Sequence, residues 1–518
     1  VTVEPEQQRW GHLRDAASGA RWGVGLFIIG RVLAMVTRVF LYRIDKVVFG
    51  SYVVVTEIIA FSAAQFLVPG GMSAIIRFMP ALSQERRRRF LVAYSLLALV
   101  LCAIAVVVLQ ITPAPLKWLL RSEGRNAPIA ALTRYSMAFV PLVAMQTVAV
   151  YALMAQGKTA AAAKAQNFIQ IIIFFFSVLL FLFPAFTIAH AWLVVVASVG
   201  LAHAITLCWA AAIIRRLYFP PGERASAAPL LPKGFAGYAA MSHTQFAAQW
   251  VGNTLDQALV CRYMGRAQLA MYGAGLSVAR FVRWIPITVG NQLLPLFSQL
   301  AAEESMDEMR RLYRRVTLYN SVCALSTALV CIVLGPQILL VFGKDASVYS
   351  SSVLAVLSAS FFVSAVSVVN VNALLALGRA DLTVVIYVLA AAIEISLAVL
   401  LGSSADAVQY SLMRTSYLLV AFFLSTWLVW RLYSFSLSKK TYMSVLATLL
   451  AWAIFVVLGW TTDIHQVWRA VISLAAYPVL LIRIFRALDS DDWQFALDHI
   501  LPAKLGRMFK KGNARAED

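Results

Sequence analysis

A helix needs about 20 consecutive apolar residues to cross the hydrocarbon core of a bilayer, and this chain offers fourteen such runs in succession. They fall at 22–42, 47–76, 90–111, 129–155, 165–184, 187–214, 236–260, 268–297, 317–342, 347–376, 381–401, 406–430, 441–460 and 466–485. A spanning segment must satisfy its own backbone polar groups, and runs of this length do so as helices. The predicted fold class is therefore an all-α polytopic membrane protein of about 14 transmembrane helices. Composition agrees: of 518 residues 61% are hydrophobic and only 13% charged, with a mean hydropathy of +0.78, whereas soluble domains are about a quarter charged. These values exclude a soluble enzyme or nucleic-acid binder. Pro69-Gly70-Gly71, Pro141, Pro286 and Pro295 interrupt several runs; such breaks survive where neighbouring helices or a cavity satisfy the freed backbone.

An even number of spans leaves both termini on one side, and the Lys/Arg bias of the short loops says which. With the N-terminus inside, 28 of the 44 basic residues fall in cytoplasmic segments and 8 in outer loops. The expected topology has cytoplasmic N- and C-termini. The polar N-terminus lacks a short apolar region with a cleavage site, so no signal peptide is expected. Ser298–Arg315 is acidic first and basic last, as suits a helix dipole. In the C-tail, Trp493, Phe495, Ile500, Leu505, Met508 and Phe509 interleave with Lys504, Arg507, Lys510 and Lys511, a pattern that suits a surface-lying amphipathic segment.

The two halves resemble each other at a nearly fixed offset. Residues 42–57 lie over 265–280, pairing Arg43 with Arg266, Phe49 with Tyr272 and Gly50 with Gly273, and 155–158 lie over 376–379. Six spans per half make the repeats parallel, an arrangement that builds transporters with a site near the bilayer midplane. The expected organisation is a cytoplasmic tail (1–21), a six-helix lobe (22–214), a cytoplasmic linker (215–235), a second six-helix lobe (236–430), two additional spans (441–485) and a cytoplasmic C-tail (486–518).

The stretch from Asn253 through Phe281, followed by 291–304 and 309–315, resembles the multidrug/oligosaccharidyl-lipid/polysaccharide exporter superfamily, and within it the polysaccharide-transporter (Wzx-type) branch. The carrying residues are Asp256 ahead of Gly265, the Tyr272-Gly273 pair, Pro295 closing span 8, and the acidic-then-basic cytoplasmic segment. In the first half, 66–80 resembles that branch's second span and its exit. The resemblance implies a V-shaped, two-lobed flippase of the bacterial inner membrane. Its cargo would be undecaprenyl-pyrophosphate-linked oligosaccharide, carried to the periplasmic leaflet for exopolysaccharide or O-antigen synthesis. The lipid-linked oligosaccharide and the bilayer are the implied partners, with polysaccharide polymerase and export machinery as candidates. No nucleic acid is implied, and the expected state is a monomer.

A charge at mid-span costs about 2.5–3.5 kcal/mol on insertion scales and asks for a partner or a cavity. Arg31, Arg38 and Asp45 recur every seven residues, which keeps them near one helix face. Arg280 and Arg283 share a face at the centre of span 8. Arg77, Arg134 and Arg469 lie near span ends, within snorkelling reach of the interface. Arg414 is flanked at helical spacing by Tyr410 and Tyr417. In the family, spans 1 and 8 face the central cavity, and its lipid-pyrophosphate carriers use cations there. Arg31, Arg280 and Arg283 match those placements, with Arg38 and Arg414 as further candidates. A guanidinium fork suits phosphate oxygens and stays charged in a dry environment. The competing reading is an internal ion pair, such as Arg31 or Arg280 with Glu57. The superfamily's lipid II carriers also place a cation on span 2, where this chain has Glu57; that counts against lipid II as cargo.

Glu57, Asp256 and Glu394 are buried acids suited either to H+ or Na+ coupling or to counter-charging arginines. His203 and His243 suit packing better than proton relay. Cys102, Cys208, Cys261, Cys323 and Cys331 lack any paired spacing and read as small core residues. There is no glycine-rich phosphate loop ending in Lys-Ser/Thr, no HExxH and no nucleophile elbow. No enzyme activity, resident metal or cofactor is expected, and transport would run on an ion, potential or substrate gradient. Two other functions fit the sequence less well. A multidrug/cation antiporter of the same superfamily would want a carboxylate-dominated cavity and twelve spans. A membrane polymerase, ligase or glycosyltransferase acting on lipid-linked sugar would want a larger outer loop than 112–128.

Overall fold

The computed structural model describes residues 29–69, 71–79, 82–126, 128–156, 158–182, 191–219, 231–232, 234–462 and 464–484. The N-tail, the C-tail and residues 220–230 of the expected linker lie outside this set. Among the described residues there is no strand, and every one of the fourteen apolar runs contains helix. Ten described helices are long and apolar enough to cross a membrane; an eleventh candidate is the pair Ile129–Tyr135 and Phe139–Ala155, which bends by 43°. Pro141 accounts for the bend, because its ring clashes with the carbonyl four residues earlier, at 137. The other three runs are helical but fall outside that set. One is the helix at 29–44, whose apolar run begins before the described residues. The others are Phe235–Ala279, which breaks at Gly265 (φ 86°), and Phe281–Ala302. Ser242, His243, Gln245, Gln249, Asn253, Asp256 and Gln257 form a polar series along the first of these and lower its hydropathy.

Local chemistry sets the helix ends. Asp45 leaves the helix and caps the next one, Lys46–Val53, accepting from the backbone N–H groups of Val47 (2.6 Å) and Val48 (3.1 Å). The expected shared face of Arg31, Arg38 and Asp45 thus stops short of Asp45, because capping competes with continuing the helix. Ser438 caps Lys439–Thr461 through the Thr441 N–H in the same way.

The chain divides into two compact units. Unit 1 comprises Val1–Ser277, Leu339–Val353 and Val384–Tyr417; unit 2 comprises Val278–Ile338, Leu354–Thr383 and Leu418–Asp518. In unit 1, Val150, Leu153, Ala162, Ala165 and Ala210 form a buried cluster joining three helices. In unit 2, Leu329, Val333, Ala447, Ala451, Ala470 and Tyr477 seat the last two spans on Met306–Val333. The alanines carry both contacts: in lipid, association comes from close packing, and small residues let backbones approach. Ser473 Oγ then donates across the gap to the Ala451 carbonyl at 2.6 Å.

Candidate functional site

Unit 1 holds two buried ion-pair centres and a third at its edge. Glu57 lies in the Val54–Ala60 stretch of the second span, where the helix widens into a π turn; such turns occur mostly as single insertions, often at functional sites. Arg38 meets it there: Nη2 donates to Glu57 Oε1 at 2.5 Å and Nη1 to Ser277 Oγ at 2.8 Å. Both charged side chains are about nine-tenths buried. The arrangement ties the first span, the π turn and the end of the Phe235–Ala279 helix together.

The second centre is drier. Arg414 and Asp256 are 1% and 0% exposed, and Arg414 Nη1 donates to Asp256 Oδ2 at 2.8 Å. Its Nη2 donates to the Asn253 carbonyl at 2.8 Å, and the Tyr272 hydroxyl donates to the same carboxylate oxygen as Arg414 does. Gly252 makes room for Tyr417, since a Cβ there would overlap the Tyr417 ring. Glu394 is fully buried and within electrostatic reach of both Asp256 and Arg414. Neither of its carboxyl oxygens has a hydrogen-bond partner among the described residues. A buried charge is tolerated only when paired and hydrogen-bonded; Asp256 has a guanidinium and a hydroxyl on Oδ2, whereas its Oδ1, like both Glu394 oxygens, has no hydrogen-bond partner among the described residues.

The third centre was missed in the sequence. Glu123 sits in the short helix Arg121–Asn126 and accepts twice from Arg266: from its backbone N–H at 3.0 Å and from Nη2 at 3.1 Å. Arg266 Nη1 donates to Ser51 Oγ at 2.9 Å, and Ser122 Oγ donates to the Cys261 carbonyl at 2.9 Å. The Arg262 guanidinium stacks on Trp118 at 4.5 Å. Burial pushes the Glu123 carboxyl up, but the Arg266 hydrogen bonds and charge outweigh it and hold the carboxyl below its usual value. The signals available were that Glu123 is the one acid in 112–128 and that Arg266 follows a glycine, Gly265, at positive φ. Gly50 packs on the Arg266 carbonyl with no space for a Cβ, and a Cβ on Gly273 would meet Val53 and Phe49 at 3.3 and 3.5 Å. The segments that match at offset 223 also touch.

Of the remaining candidates, Arg31 is half-buried on the 29–44 helix in unit 1. Arg280 sits at the break between Phe235–Ala279 and Phe281–Ala302, and Arg283 follows one turn later with its guanidinium 5.2 Å from the Phe361 ring centroid; both belong to unit 2. Arg38 and Arg414 are therefore engaged by carboxylates in unit 1. His203 is buried, and His243 meets the Phe66 ring edge-on at 6.2 Å. Among the described residues no three His, Cys, Asp or Glu side chains group as metal ligands would.

A MatE family model matches residues 242–400. No curated protein matches the chain in sequence. Among solved structures, a lipid II flippase MurJ in an inward closed conformation superposes with a TM-score of 0.70 at 11% identity, covering 90% of this chain and 98% of that one. An inward-facing multidrug resistance MATE family transporter gives 0.58 at 13% identity, covering 78% and 97%. A multidrug/oligosaccharidyl-lipid/polysaccharide superfamily transporter from Pyrococcus furiosus, described as having a binding pocket of reversed polarity, gives 0.55 at 13%, covering 80% and 93%. The chain has the fold of these transporters.

Proposed function

We propose that this multi-pass membrane protein is a flippase of the polysaccharide-transporter branch. It carries undecaprenyl-pyrophosphate-linked oligosaccharide units from the cytoplasmic to the periplasmic leaflet of the bacterial inner membrane by alternating access. The observation that carries the reading is the near full-length likeness to a lipid II flippase, joined to arginines in membrane-embedded helices. Arg31, Arg280 and Arg283 are the cations assigned to the pyrophosphate in the course of transport. Arg38 and Arg414 are assigned to positioning, since each already holds a carboxylate. Glu394 is the carboxyl assigned to proton coupling, while Glu57 and Asp256 serve as counter-charges.

Reconstitution into liposomes tests this reading, with translocation of a fluorescent lipid-pyrophosphate sugar as the readout. Arg31→Ala and Arg280→Ala should slow flipping, and Glu394→Gln should remove its response to a pH gradient. Equal rates for wild type and both arginine variants would sink the arginine assignment. The multidrug/cation antiporter is the second reading, favoured by the MatE match and by the two core carboxylates; drug efflux without lipid flipping would establish it instead.

A further inference from the structure

Three helices of unit 1 leave an open groove on their outer side. Gln84–Ile111, Ile129–Ala155 and Ala191–Tyr218 flank about 400 Å³ lined by Leu96, Leu99, Met145, Val148, Leu207 and Ala211 among others. Its volume falls within the range of small-molecule sites. Leu96 and Leu99 are 57% and 40% exposed, so the groove is lined by surface that the bilayer must cover.

One end of the groove differs from the rest of its length. Arg215 and Phe219 close it, and the start of the Gln84–Ile111 helix lies against them. Arg88 stacks on the Phe219 ring at 4.8 Å, and Gln84 Nε2 donates to the Leu217 carbonyl at 2.6 Å. These contacts bring Arg86, Arg87, Arg88 and Arg89 to the same end as Arg215 and Arg216, with Arg86, Arg215 and Arg216 exposed. Among the described residues Glu85 is the one acid beside them, and it faces Arg89. An apolar trough that ends in a cluster of arginines has the polarity of a single lipid molecule: chain along the helices, anionic head at the guanidinium end. Basic pockets between transmembrane helices hold anionic lipid heads in this manner.

We propose that this groove is a binding site for an anionic glycerophospholipid of the surrounding leaflet, with an acyl chain against Leu96, Met145 and Leu207 and the phosphate at Arg215 and the Arg86 to Arg89 run. The lining includes none of Arg31, Arg280 and Arg283, and the proposal does not depend on which cargo the protein carries.

Native mass spectrometry of the full chain released from nanodiscs tests it, using phosphatidylglycerol mixed with phosphatidylcholine. Wild type should retain phosphatidylglycerol over phosphatidylcholine by about fivefold or more, the size of one arginine's attraction to an anionic surface. Arg215→Ala should reduce that preference, and Ala211→Trp, which fills the groove, should reduce retention of both lipids. Arg215 is exposed, so Arg215→Ala carries the test alone if Ala211→Trp fails to fold. Equal retention of the two lipids by wild type, or an unchanged preference in Arg215→Ala, would overturn the site. Displacement of the retained lipid by an added polyprenyl pyrophosphate would reassign the groove to the transported lipid and overturn the phospholipid assignment.

Discussion

Arg414 and Asp256 are 158 residues apart in sequence and meet at 2.8 Å with both side chains sealed from solvent. Removing one member of a buried pair leaves an uncompensated charge and costs about 3–5 kcal/mol, whereas replacing both members with neutral groups is often nearly free. Arg414→Leu should therefore unfold in detergent far more readily than wild type, and the double variant Asp256→Asn with Arg414→Leu should recover most of the loss. Additive losses in that cycle would mean that the two residues do not act as a pair.

The Glu123 carboxyl is held below its ordinary value of about 4.3 by Arg266. A group with a lowered folded value contributes its full stabilisation above the ordinary value and loses it as pH falls through the lower one. Protection from hydrogen exchange across 116–126, taken relative to the unstructured chain at the same pH, should therefore be high at neutral pH and fall only in acid. Glu123→Gln should show low protection at both, with no acid transition of its own.

Gly50 and Gly200 are both helical glycines, but a methyl group would strike the Arg266 carbonyl in one case and meet nothing within 4 Å in the other. Gly50→Ala forces backbone apart and should cost about 1–3 kcal/mol. Gly200→Ala should be neutral or slightly stabilising, since alanine is the better helix former by about 1 kcal/mol. Thermal melts of the two variants in one detergent check the contrast.

Arg283 lies over Phe361, a placement that suits a planar guanidinium better than a lysine ammonium. If it meets pyrophosphate during transport, Arg283→Lys should slow flipping by about tenfold, because charge is kept while the fork is lost, and Arg283→Ala should slow it further. A lysine variant as fast as wild type would place Arg283 outside the headgroup's path.

The helices were legible because a span is a local property: length, apolar content and caps all sit within one stretch of chain. Even the run that carries Asp256 could be found, although its polar series makes it the least hydrophobic of the set. Pairing is a different kind of fact. Glu57 could be matched with Arg31 or Arg280 by depth alone; its contact with Arg38 on the π turn needed the fold. Asp45 kept the right spacing for a face that it does not join, since its carboxylate caps the next helix. Glu123 sits in a segment between two spans, where an acid is unremarkable, and only the fold brings Arg266 to it.

The π turn at Val54–Ala60 has a consequence for tolerance to insertion and deletion. It closes on i→i+5 bonds where the flanking helix uses i→i+4, so it stores one residue's worth of slack in the middle of a membrane span. Deleting one residue there would let the span relax to a plain α-helix. The two flanks would keep nearly their present phase, so Gly50 would stay on the Arg266 carbonyl. A deletion from the regular helix on either side would instead rotate one flank by about 100°, at 3.6 residues per turn. The turn is thus the place where this span can lose a residue without turning one half of itself away from its neighbours.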